Sequence, residues 1–526
     1  MLFTSYEFIG FLIVLFLLYY TVCRKVQWGL LLIAGYVFYY LANPLYLIYI
    51  LITTVSIFLT GITIQNISDK SREYLSSVKD EITKEDKKLY KAKIKKSQKR
   101  YLILCLVFNF GILIFSKYTN FFIMNINTLM GRDAVPFLSI LLPLGISFYT
   151  LQACGYVIDV YRGSVQAERN LLKMALFVSF FPQLIQGPIS RFGDLSKTLY
   201  AGHEFDGKTF AFGLERILWG FFKKLVIADR IAPAVIAITG EPTEYKGAYV
   251  FCVLFLYTLQ LYADFTGGID ITIGIAQALG ISLKENFNRP YFSKTLKEYW
   301  RRWHITMCEW FRSYVFYPVS TSKWLQGFAK FARKSLGDRA GKRVPVYLAS
   351  FVVWLATGLW HGASWNFIVW GLLNWFLLML GEEMEGWSDG LNEKYALRSK
   401  GWFKAIRVVR TFLLVMVLNL FDCYVKVGET LTGLASIFVE GNWGVIFDGS
   451  MLNFGVSAAD YMMALLGTLV MLAVSLLQRK GSVREMILAK PYVVRAIIWG
   501  GLFVIIIVFG SYGVGYDSAQ FIYNRF

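Results

Sequence analysis

Histidine is scarce in this chain, with three residues in 526. Cysteine is almost as rare. The six cysteines stand singly at 23, 105, 154, 252, 308 and 423, and no CxxC pair exists. That spacing supports neither a zinc module nor a disulfide framework, so no metal is expected and the thiols read as packing residues. No Pro/Ser-rich linker and no apolar-poor tail divides the sequence, which is therefore read as one domain over 1–526. Charge is missing from whole stretches: positions 344–380 hold no Asp, Glu, Lys or Arg.

What is abundant is apolar surface. Hydrophobic residues make up 56% of the chain and aromatic ones 17%. A bilayer crossing needs about 20 mostly apolar residues, and such runs recur from 8–22 to 497–514. We count roughly ten to thirteen hydrophobic segments, the shorter ones candidates for re-entrant helices. The composition predicts an all-α polytopic membrane protein whose constant partner is the lipid bilayer of the cell membrane. The first run lacks a basic n-region and a small-residue cleavage site, and is read as a retained span rather than a signal peptide.

The formal net charge of +19 invites a nucleic-acid reading, but its distribution argues against one. Positions 66–100 carry twelve Lys/Arg against six Asp/Glu, and further basic stretches lie at 323–343 and 479–495. The segment 427–460 has four acids and no Lys or Arg. This is the positive-inside pattern, with basic loops cytoplasmic, the 427–460 loop outside and the N-terminus outside. The 66–100 stretch reads as an amphipathic surface helix with Tyr74, Leu75, Val78 and Ile82 on one face.

Two histidines sit where a polar ring is costly to bury. His361 lies in WLATGLWHGASWNFIVWG at 354–371. The uncharged interval around it would be about 55 Å long as one helix, too long for one crossing. Gly358, Gly362 and the 364–366 stretch mark the expected break. Non-helical backbone at that depth is tolerated only where protein or a water-filled cavity lines it. A structural histidine bonded to a backbone carbonyl is the plain alternative. His304 lies on a stretch opened by a T-L-K-E capping box at Thr295–Glu298. Trp300, Trp303, Met307, Trp310, Phe311 and Tyr314 predict one continuous helix with a thick apolar stripe. Arg301 and Arg302 beside it can meet phosphate or carboxylate, or snorkel to headgroups. Asp264 and Asp270 stand in apolar sequence, where an acid faces a cavity or a paired partner. Pro290 turns 286–290 away from helix. His203 reads as exposed and is given no role.

A neutral imidazole can act as general base toward a hydroxyl. No carboxylate pair, GxSxG elbow or P-loop is visible, so any group transfer at these histidines needs a donor that is already activated. Several blocks then become recognisable together: LPLGISFYTLQACGYVIDVYRG (142–163), FPQLIQGPISRF (181–192), YADFTGGIDI (262–271), ENFNRPY (285–291), WRRWH (300–304), WHGASWNFIVWG (360–371) and the closing FIYNRF (521–526). Their order resembles the membrane-bound O-acyltransferase family, in the bacterial branch of alginate O-acetyltransferases and teichoic acid D-alanyl transferases. The likeness is dense over about 140–375 and looser elsewhere, with extra spans over 402–526.

The resemblance implies a helical bundle around a funnel or tunnel, with His361 as the catalytic residue and His304 as its active-site companion. It implies no tightly bound cofactor. The donor would be a cytosolic acyl thioester, acetyl-CoA first. The acceptor would be a cell-envelope polysaccharide hydroxyl, reached through an extracytoplasmic relay protein. Trp303, Trp365, Asn366 and Asp264 join Arg301 and Arg302 as candidate substrate-binding residues. D-alanyl transfer from a carrier-protein thioester to teichoic acid is the alternative within the family, and the two extra C-terminal spans favour acetyl transfer. A proton-coupled transporter is the alternative from another class, but it should show repeats and a chain of titratable groups. A catalytically dead scaffold would be marked by loss of His361, which is present.

Overall fold

The computed structural model describes residues 4–512; the closing 521–526 motif lies outside them. The described chain is helical throughout, with no strand among the described residues. It divides into two compact units, one of 1–211 with 275–284 and the other of 212–274 with 285–526.

In the first unit, Tyr46–Ser77 and Lys84–Met130 form an antiparallel helical hairpin. Both continue past their apolar halves into the basic stretch. The predicted single surface helix over 66–100 is therefore a helix end, a turn and a helix start. The 32-residue first helix stops at Ser77 and the second begins behind Thr83, whose Oγ1 accepts from the Asp86 amide at 3.1 Å. No proline or glycine interrupts 84–110, so nothing breaks the second helix where its composition changes. The polar halves stay paired: Gln98 Nε2 donates to the Ile64 carbonyl at 3.1 Å and Ser68 Oγ at 2.6 Å, and the Tyr74 and Tyr90 rings lie 4.7 Å apart. His203 is half-buried rather than exposed. Its Nε2 lies 2.8 Å from the Thr198 carbonyl, and its amide donates to Gln27 Oε1 at 2.7 Å.

Among the described residues, six helices are long and apolar enough to cross a membrane, and a seventh candidate is the bent pair Trp365–Glu383 and Glu385–Tyr395. Four of the six, Ala248–Ala278, Asp338–His361, Ala458–Leu477 and Tyr492–Phe509, lie wholly or mostly in the second unit. The apolar run at 174–185 instead folds as two short helices, Leu171–Ser179 and Phe181–Gln186. Asp338–His361 and Trp365–Glu383 pack at glycine contacts. A Cβ on Gly358 would overlap the Phe367 carbonyl oxygen, and one on Gly371 would overlap that of Trp354. Backbones this close leave no room for a side chain, which fixes where the intervening turn must fall.

Candidate active site

The turn is where the sequence placed it. His361 is the last residue of its helix, Gly362 is extended, and Ser364 caps the next helix by accepting from the Phe367 amide at 3.5 Å. His361 is 8% exposed and packed among aromatics: its ring lies 4.6 Å from Trp370, 5.2 Å from Trp360 and 6.0 Å from Phe367.

His304 arrives differently. The continuous helix expected through 300–314 is broken. Leu296–Arg302 ends at Trp303, His304 takes a left-handed backbone (φ 46°, ψ 51°), and a new helix runs Ile305–Phe311. Only half of the expected capping box forms: Thr295 Oγ1 accepts from the Glu298 amide at 3.1 Å, while Glu298 reaches the amide of Lys294 rather than that of the cap.

A non-glycine residue in the left-handed region costs about 1–3 kcal/mol and persists only where its surroundings over-determine it. Here Asn286 does so. Its carbonyl accepts from the Ile305 amide at 3.0 Å. Its Oδ1 accepts from the Thr306 amide and hydroxyl, both at 3.0 Å, and lies 3.4 Å from His304 Nδ1. His304 and Asn286 are both fully buried. The His304 ring meets Phe265 at 4.9 Å and Trp360 at 5.9 Å. One indole, Trp360, therefore touches both imidazoles, which come from segments 57 positions apart in sequence.

A cleft of about 620 Å³ opens beside this pair. Trp300, Trp354 and Thr357 line it, the last lying one helical turn before His361, while neither histidine does. Trp300 is fixed by donating to Asn374 Oδ1 at 3.0 Å, and its ring packs against Trp354 and Trp370. Trp370 links the cleft-lining Trp300 and Trp354 rings to His361. Arg301 and Arg312, both exposed, line the same cleft.

The remaining candidates scatter. Trp303 packs on Phe265 and Phe287 behind His304. Arg302 is engaged by Glu298 at 2.6 Å. Asn366 is fully buried, its Nδ2 donating to the Tyr424 carbonyl and to Thr430 Oγ1. Trp365 is 52% exposed. Asp264 is buried in an ion triad with Lys224, which also bonds Asp229 at 2.7 Å. Asp270 pairs with Lys223 at 2.5 Å and Arg216 at 2.8 Å. Asn286, Phe265, Trp360 and Trp370 touch the histidines and were not singled out from sequence. Asn286 was legible only as part of a turn, and the aromatics were indistinguishable from packing residues. Among the described residues no group of three or more His, Cys, Asp or Glu could hold a metal ion.

Long apolar helices around a buried, two-histidine aromatic site define a polytopic helical membrane protein with an enclosed polar centre. Residues 167–421, which contain both histidines, match the family model MBOAT, the membrane-bound O-acyltransferase family. The chain thus carries a domain of that acyltransferase family. It is 38% identical over 333 residues to the probable alginate O-acetylase AlgI of Azotobacter vinelandii, covering 61% of this chain and 59% of that protein. It is 35% identical over 300 residues to the peptidoglycan O-acetyltransferase of Helicobacter pylori, covering 52% and 54%. Against the teichoic acid D-alanyltransferase of Bacillus subtilis it is 28% identical over 277 residues, covering 51% and 65%. The chain therefore spans between 54 and 65% of the length of these relatives.

Proposed function

We propose that this protein is a membrane O-acyltransferase that moves an acetyl group from cytosolic acetyl-CoA to a hydroxyl of an envelope or exported polysaccharide. The observation that carries the reading is the convergence of His304 and His361 on Trp360, beside a cleft rimmed by arginines. His361 takes the proton of the acceptor hydroxyl as its oxygen attacks the thioester carbonyl. The tetrahedral oxyanion then collapses, the carbon–sulfur bond breaks, and the proton returns to the departing thiolate. His304, held through Asn286, orients the donor carbonyl or hydrogen-bonds the oxyanion. Arg301 at the cleft rim contacts donor phosphates, since guanidinium groups match phosphate geometry. The aromatic enclosure keeps bulk water from the thioester.

The basic loops face the cytosol, where the donor is made, and the 427–460 segment faces outward, where a relay protein takes up the acyl group. The names of the first two relatives, an alginate O-acetylase and a peptidoglycan O-acetyltransferase, support acetyl as the group transferred. Free CoA released from acetyl-CoA by the purified protein tests the reading, with His361→Ala as comparison. Release that falls about 10²–10⁴-fold in the variant, the usual worth of a general base, supports it. Equal release from both removes His361 from the chemistry. No release from folded wild type, with turnover of a D-alanyl carrier thioester instead, would replace acetyl-CoA as the donor.

A further inference from the structure

A second recess in the same unit is far from satisfied by acyl transfer alone. It holds about 680 Å³ and is walled by Val470 and Val474 of the Ala458–Leu477 helix and by Gly501, Leu502 and Ile505 of Tyr492–Phe509. These two helices reach the rest of the unit through a shared apolar cluster, in which Met471 and Ile506 pack on the π-helical turn Phe222–Ala228. From Val470 to Val474 one apolar face extends about 6 Å at 1.5 Å per residue.

The far end of the recess is ionic. Arg216, Arg289 and Arg484 line it with Asp270, Glu285 and Glu215, and Lys223 adjoins it. Four cations thus meet three carboxylates. Most of these charges are already committed. Arg216 donates through Nε to Asp270 at 2.8 Å and through its two terminal nitrogens to Glu285, each at 2.6 Å. Lys223 holds the other Asp270 oxygen and Thr266 Oγ1 at 2.8 Å. Arg484 donates to the Phe212 carbonyl at 2.7 Å. Arg289 is the exception: its guanidinium has no hydrogen bond or ion pair among the described residues, although it is half-buried. Its backbone is left-handed, with φ 47° and ψ 58°, one of three non-glycine residues so placed among the described residues. Strain of this kind collects where a side chain must be aimed at something. Here it aims a spare cation into a recess whose other end is hydrocarbon.

We propose that this recess binds an anionic glycerophospholipid of the surrounding bilayer, its phosphate on Arg289 and an acyl chain along the groove between the two C-terminal helices. Charge complementarity selects the headgroup. The surplus cation needs an anion: four cations meet three carboxylates, and Asp270 and Glu285 are already held by Arg216 and Lys223. The groove selects a chain rather than a free phosphate, because its walls offer no polar partner between Val470 and Val474 or along Leu502 and Ile505. Both helices lie beyond the matched 167–421 segment, while Arg289, Arg216, Asp270 and Glu285 lie within it, so the site joins the matched segment to the C-terminal helices.

The test uses the full-length protein in nanodiscs of phosphatidylcholine with a minor fraction of phosphatidylglycerol, followed by release into detergent and native mass spectrometry. Wild type should retain phosphatidylglycerol in preference to phosphatidylcholine. Arg289→Gln should lower that preference about tenfold, the effect of one charge-assisted hydrogen bond. Gly501→Trp fills the groove, where a Cβ meets nothing within 4 Å, and should lower retention of both lipids while the protein stays folded. Equal retention of both lipids by wild type, unchanged preference in Arg289→Gln, or unchanged retention in folded Gly501→Trp overturns the proposal. Displacement of the lipid by millimolar inorganic phosphate alone also overturns it, since the groove would then contribute nothing.

Discussion

Substituting Asn286 by alanine separates a positioned histidine from a merely buried one. Oδ1 of Asn286 accepts from the Thr306 amide and hydroxyl at 3.0 Å each, and lies 3.4 Å from His304 Nδ1. Removing it deletes two good neutral hydrogen bonds, each about 1 kcal/mol net, and leaves a buried backbone donor orphaned at about 1–3 kcal/mol. The total is about 3–5 kcal/mol, spent against a left-handed His304 that itself costs about 1–3 kcal/mol. The His304 turn should therefore relax toward ordinary helix, swinging the imidazole off Trp360. Thr306→Val, which keeps shape and removes only the hydroxyl donor, should cost about 1 kcal/mol. The assay pairs thermal unfolding in detergent with acyl-transfer kinetics on the folded fraction. Asn286→Ala should lower the unfolding midpoint more than Thr306→Val, and should reduce kcat with little change in the donor KM. Wild-type kcat in Asn286→Ala, or equal effects from the two variants, would refute the claim that Asn286 holds His304.

Gly358→Ala should destabilise by about 1–3 kcal/mol through overpacking against the Phe367 carbonyl, while Gly381→Ala, where a Cβ meets nothing within 4 Å, should be neutral or stabilising by up to about 1 kcal/mol; thermal unfolding distinguishes them. Arg301→Gln should raise the donor KM about tenfold, one charge-assisted contact, with kcat nearly unchanged in steady-state kinetics. Asp264→Ala should cost about 3–5 kcal/mol by removing one partner from a buried ion cluster, seen as lost folded yield, and Lys224→Met in the same chain should lower the yield further, because buried Asp229 then loses its cation. An unaltered folded yield in Asp264→Ala would mean the triad with Lys224 and Asp229 holds nothing together.

The two histidines show which parts of such a site can be read in advance. The break at His361 is written locally. Gly362 cannot be replaced without meeting the Phe367 ring, and Ser364 caps the following helix, so glycine and a capping residue announce the turn in the sequence itself. The break at His304 has no local signal. WRRWHITMCEWF contains neither Gly nor Pro and keeps a helical apolar period, and that pattern predicts one helix. What overrides it is Asn286, eighteen positions earlier, whose side chain offers acceptors that compete with the helical ladder. The π-helical turns Phe222–Ala228 and Arg312–Phe316 are equally silent in sequence. Likewise, aspartates in apolar sequence announce that partners exist, but not that Lys224 serves Asp264 and Lys223 serves Asp270. Long-range polar pairing, rather than propensity, supplies what the period of hydrophobicity cannot.

The helical hairpin of the first unit bears on how the molecule could be visualised. Its second arm, Lys84–Met130, has 47 residues and so is about 70 Å long, against a hydrocarbon layer about 30 Å thick. Its charged end, 84–100, about 25 Å of helix, is unsuited to hydrocarbon and is braced side by side with its partner by Gln98 and the Tyr74–Tyr90 contact. The tip at 78–83 is a short polar turn between two stiff rods. A small folded domain grafted there would be carried on a rigid mast, giving a mostly bilayer-embedded particle a fixed landmark for image alignment without touching either histidine.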